Sequence, residues 1–166
     1  MNFSLVSFGA LVLGISTTSY AVANDDVGPA TVAEKFVDAL QHQRFNDAAA
    51  MFAPEVTRDR METALTLKRI DDSIGGFSTI HPVATLPIGK TVKLEVPAHK
   101  NIPFKVQKFF QARYASTGSD GQPVFYELDL TTDNKPPQLL SFGLHFPASD
   151  TQSTKRAAKL VSDISR

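Results

Sequence analysis

At Gly75-Gly76 the spacing of apolar residues changes from a helical period to a strand period, and this switch divides the chain into a helical half and a sheet half. Before it, Val32, Phe36, Val37 and Leu40 form one stripe of a helix ending near Gln43. Thr31 and Glu34 have the spacing of a capping box at its start. Phe45, Ala48, Ala49 and Phe52 mark a second, shorter helix that stops at Pro54, whose missing N–H and ring disfavour continuation. Met61, Ala64, Leu65, Lys68 and Ile74, with Leu67 and Ile70 alongside, mark a third helix. The glycine pair ends it, because glycine readily takes the left-handed cap conformation.

After the switch, residues 77–82 form a short first strand, and Val92, Leu94 and Val96 alternate with Lys93 and Glu95. Phe104, Val106, Phe110 and Tyr114 share one face of a longer strand that carries Lys105, Gln107 and Arg113 on the other. Val124, Tyr126, Leu128 and Leu130 alternate with Glu127 and Asp129, and a last strand runs over residues 139–146. Residues 116–121 and 133–137 carry the Gly, Ser, Asp, Asn and Pro chemistry of turns between them. Helices first and strands afterwards predict an α+β domain over 31–147, with N-terminal helices packed on one face of a curved antiparallel sheet of four to five strands. Residues 24–30 read as a flexible lead. Residues 148–166 read as a polar tail, either helical through Ala157, Leu160, Val161 and Ile164 or disordered.

The N-terminus has the order of a secretory signal: an apolar run from Leu5 to Ile15, too short to span a bilayer, then small residues at Ala21 and Ala23. Cleavage after Ala23 is expected, giving a periplasmic or secreted protein with no membrane attachment. The chain has no cysteine, which excludes disulfides, thiolate catalysis, lipoprotein anchoring and cysteine-based metal sites. The exported domain must therefore rest on its own core. Lys plus Arg equal Asp plus Glu at 17 each, so no basic face for nucleic acid is expected.

Three segments carry a family resemblance: residues 33–40 with Phe36, Ala39 and Leu40, residues 43–52 with Phe45, Asp47, Ala48 and Phe52, and Gly75-Gly76-Phe77. Together they resemble the opening of nuclear transport factor two-like proteins, and the likeness extends over residues 31–147. It implies a cystatin-like cone, in a superfamily that includes isomerases, cyclases, dehydratases, binding modules and exported proteins, many of which form sheet-to-sheet dimers. The isomerase-type members use a tyrosine with carboxylic groups in an apolar pocket. Tyr20 leaves with the signal, so no tyrosine stands in the first helix here.

Tyr114 and Tyr126 flank the 116–121 turn with the parity of the core, and they are the pocket candidates, joined by His145 if its ring points toward the helices. Phe109 and Phe125 have the opposite parity and, with Arg113 and Glu127, make a candidate interface on the outside of the sheet. Glu127 and Asp129 read as outward-facing and solvated. His42, His81, His99 and His145 lack metal-site spacing, and no nucleophile elbow or phosphate loop occurs, so no catalytic residue, metal or cofactor is assigned.

The reading that follows is an exported binding or interaction module acting through the cone pocket or the sheet face. Its partner would be a second copy, a periplasmic protein or a small apolar ligand. A small lyase or isomerase using Tyr114, Tyr126 and His145, and an accessory or immunity-type protein that neutralises a secreted partner, stand as alternatives. N-terminal sequencing of the periplasmic fraction should return Asn24 as the first residue, and an intact Met1 in the membrane pellet would contradict export with cleavage.

Overall fold

In the computed structural model, the described residues are 27–57, 59–97, 106, 108–134, 136–147 and 151–164; the signal segment and His99, Phe104, Lys105 and Gln107 lie outside them. Three helices come first, α1 (Pro29–Gln41), α2 (Phe45–Ala50) and α3 (Arg60–Ile74). Among the described residues five strands follow, β1 (His81–Pro82), β2 (Thr91–Val96), β3 (Phe109–Thr117), β4 (Pro123–Thr131) and β5 (Leu139–Pro147), and then helix α4 (Thr151–Ile164). The architecture is α+β with a five-stranded antiparallel sheet in the order β1-β3-β4-β5-β2.

Helix α1 begins three residues earlier than the capping-box spacing suggests. Gly28 is its N-cap without a side-chain hydrogen bond, and Pro29 occupies the first turn, where a missing N–H costs nothing. Val27 already packs against the core, so the lead does not extend to residue 30. Asp59 caps α3 by accepting from the backbone N–H groups of Met61 and Glu62 at 2.8 and 3.2 Å. Its buried stripe is Ala64, Leu67, Ile70 and Ile74, whereas Met61 and Leu65 are exposed. Gly75 ends the helix at φ 90°, and an added Cβ would stand 2.6 Å from that of Ser119. Ser119 in turn donates its N–H to Ile74 O at 2.8 Å, which ties the β3–β4 turn to the end of α3.

Of residues 77–82, only His81 and Pro82 pair with the sheet, opposite Ala115 and Tyr114. Strands β3, β4 and β5 form a meander, but β2 lies beside β5 at the far edge. Position in sequence does not announce that placement, because β2 precedes β3. A bulge in β5 shifts the register between Asp129 and Leu130.

Residues 151–164 of the tail form a helix that packs against the core. Ala157 and Leu160 of α4 are buried, and the Arg156 guanidinium lies 5.2 Å from the centroid of the Phe146 ring. Arg69 Nη1 donates to Ile164 O at 2.7 Å, and Ser73 Oγ donates to Asp163 at 2.9 Å, so α4 runs beside α3. It lies on the helix-bearing side of the sheet rather than folding over the opposite face.

The core is aromatic at its centre. Phe142 stacks on Tyr126 at 5.5 Å, meets Phe36 edge-on at 5.3 Å and lies 6.0 Å from Phe77. Phe36 also meets Phe52 at 5.7 Å. Phe36 is fully buried, so Phe36→Ala should destabilise the domain by about 3–5 kcal/mol in denaturant unfolding. A loss below about 1 kcal/mol would contradict its place between α1 and the sheet.

Candidate functional site

Tyr114 and Tyr126 are directly opposite each other across β3 and β4, as their shared parity predicts. Both face the helices. Tyr126 is fully buried with its hydroxyl 2.7 Å from Ser116 Oγ, and burial pushes its pKa above the ordinary value. Tyr114 is also buried, which raises its pKa in the same direction. The surroundings of Tyr126 are filled by Phe77 and Phe142. Among the described residues, one cleft of about 200 Å³ lies between Ile74, Ser119, Phe146 and Arg156, and another of about 330 Å³ between Phe45, Ala64 and Leu65. Neither reaches the tyrosines.

His145 does not join them. Phe142, Leu144 and Phe146 of β5 are the residues in register with the inner side, and His145 falls between them on the opposite face, paired with Phe125 and Lys93. Strand alternation permits no other outcome once Phe142 is inside. The pocket triad of Tyr114, Tyr126 and His145 is thus split across the sheet.

The face opposite the helices is where polar side chains gather. One row across the strands runs Arg113, Glu127, Gly143 and Glu95; the next runs Ala115, Phe125, His145 and Lys93. A third runs Gln111, Asp129 and Ser141. Asp129 accepts from Gln111 Nε2 and Ser141 Oγ, both at 3.0 Å, and Gln111 Oε1 in turn accepts from Arg113 Nη2. These groups are shielded, contrary to the expectation of solvated carboxylates: the Glu127 side chain is only 14% exposed.

Lys93 lies over Gly143. An added Cβ on Gly143 would stand 2.9 Å from Lys93 Cε, so the absence of a side chain there makes the groove in which the lysine stem rests. Its ammonium stands 3.5 Å from Glu127 Oε1 and 3.7 Å from Glu95 Oε1. His145 Nδ1 is 3.5 Å from Thr91 Oγ1, while Nε2 is 3.8 Å from Glu127 Oε1, beyond hydrogen-bonding distance. His145 is 8% exposed, and both its Nε2 and Arg113 Nε are buried without a hydrogen-bond partner among the described residues. Burial lowers the His145 pKa from its ordinary value, with Glu127 acting in the opposite direction.

Phe109 and Phe125 do lie on this face, opposite in parity to the tyrosines. They are not neighbours. Phe109 is level with Thr131 and Phe125 with Ala115, so the polar rows separate them by about 20 Å of strand. Phe109 is 58% exposed, and Phe125 is half-buried.

One polar group escaped the sequence reading. Asp71 is buried in α3 and accepts from the Phe77 N–H at 2.7 Å, which fastens the glycine turn; burial raises its pKa. Its position among helical polar residues gave no signal, because only the fold-back of Phe77 onto it creates the burial. Among the described residues no group of His, Asp and Glu is placed to hold a metal ion. No family model, curated protein or solved structure matches the chain.

Proposed function

We propose that this chain is an exported interaction module of the nuclear transport factor two-like, cystatin-like kind, and that it works through the sheet face opposite its helices. Arg113 carries the reading. Among the described residues its Nε is buried without a partner, and its Nη2 donates to a neutral amide, Gln111, although Glu127 and Asp129 stand on the adjacent strand. Leaving a buried donor unmade costs about 1–3 kcal/mol, a cost recovered when an acceptor arrives from outside.

A second copy of the chain fits this face. Its cations, Arg113 and Lys93, stand on β3 and β2, and its carboxylates Glu127 and Asp129 stand on β4 between them. A two-fold rotation can lay Arg113 of one copy against the carboxylates of the other, which is the self-complementarity an isologous contact requires. Phe109 and Phe125 then lie on either side of the Arg113–Glu127 row along the strands as apolar anchors. The lyase or isomerase alternative needs Tyr114, Tyr126 and His145 to converge, and they lie on two sides of the sheet.

Sedimentation of wild type, Arg113→Glu and a Phe109→Asp, Phe125→Asp double variant tests the reading. Wild type should be dimeric, and each variant should weaken the dimer at least about tenfold, equivalent to about 1.4 kcal/mol, with an unchanged circular dichroism spectrum. A wild type that stays monomeric but captures a periplasmic protein through Arg113 would replace the second copy by that partner. Variants as dimeric as wild type would contradict the sheet face altogether.

A further inference from the structure

Resting on the sheet-face reading, we infer that His145, Glu127 and Lys93 form a proton-operated latch that lets this face pair with a second copy only while the His145 imidazole is neutral. The geometry holds two cationic claimants for one carboxylate oxygen. Lys93 Nζ stands 3.5 Å from Glu127 Oε1, and His145 Nε2 stands 3.8 Å from the same atom. With the imidazole neutral, Lys93 bridges Glu127 and Glu95 across Gly143. A proton on Nε2 turns that nitrogen into a charged donor a few tenths of an ångström short of a hydrogen bond. The imidazolium then takes Glu127, repels the ammonium and releases Lys93 from its bed over Gly143.

The charged groups facing His145 are Glu127 and Asp129 on β4 and Lys93 and Glu95 on β2, with Arg113 one strand beyond Glu127. Burial already makes the folded chain bind the His145 proton less readily than the unfolded chain, so this group destabilises the fold as pH falls below its ordinary value of 6.5. A second copy laid on the face removes still more water from the ring. The dimer therefore takes up the proton less readily than the monomer, and protonation drives dissociation. Association is full while the pH stays above the lowered value that His145 has in the single copy, and is lost as the pH falls through it.

Two variants move the latch in opposite directions without touching Arg113. His145→Gln cannot take the proton, and Gly143→Ala puts a methyl group where the Lys93 stem lies while leaving every charge in place. Protein purified from the exporting host is sedimented at pH 7.5 and pH 5.0. In parallel, the His145 ring and the Lys93 Cε methylene are followed by NMR through the same range. Wild type should associate at least about tenfold more weakly at pH 5.0, with the Lys93 signal shifting at the midpoint of the His145 titration. His145→Gln should associate equally at both values, and Gly143→Ala should be weak at both. A Lys93 signal that stays flat while His145 titrates, or wild-type association unchanged between the two pH values, would overturn the latch and leave the sheet-face reading intact. Wild type monomeric at both values would overturn the second-copy reading and the latch with it.

Discussion

The Phe142 ring decides the inside of the sheet. Stacked on Tyr126 and met by Phe36 and Phe77, it fixes the parity of β5 and, through the register, of β4, β3 and β2. Every second residue then has no choice but the opposite face. Arg113, Glu127, His145 and Lys93 come together because four aromatic rings pack on the other side of the same backbone. Without disulfides, that cluster and the docking of α4 on α3 are what hold the fold.

Much of this order was legible in residue spacing. The change of period at Gly75-Gly76 located the boundary between helices and sheet, and alternation in β4 separated Tyr126 from Phe125 correctly because that strand has one apolar side. In β5 the same rule had nothing to read. Residues 139–146 are buried on both faces, and no contrast between neighbours showed which way His145 points. The second stripe of α3 misled for a related reason: Met61 and Leu65 are as apolar as Leu67 and Ile70, yet only the latter meet the core. The bed for Lys93 over Gly143 was invisible because β2 pairs with a strand about fifty residues later.

The polar face carries two kinds of cost that an isolated copy leaves standing. Arg113 Nε and His145 Nε2 are buried and have no partner among the described residues, and buried polar groups without partners are rare in folded proteins. Glu127 is shielded while Lys93 and the His145 ring stand at 3.5 and 3.8 Å, too loosely held to offset much desolvation. A partner that supplies an acceptor to Arg113 offsets the first cost, and a proton on His145 redistributes the second. In the proposed reading, recognition and its control by pH share one incompletely satisfied network.

The most direct measurement of the central claim is an isotope-filtered NOE spectrum on an equal mixture of labelled and unlabelled protein at pH 7.5, which records only contacts between copies. Cross-peaks from Ala115 and Phe125, with none from the exposed Met61 and Leu65 of the helical side, are the predicted result. Intermolecular contacts at Met61 and Leu65, or none at all on the outer face of β3 and β4, would contradict the account.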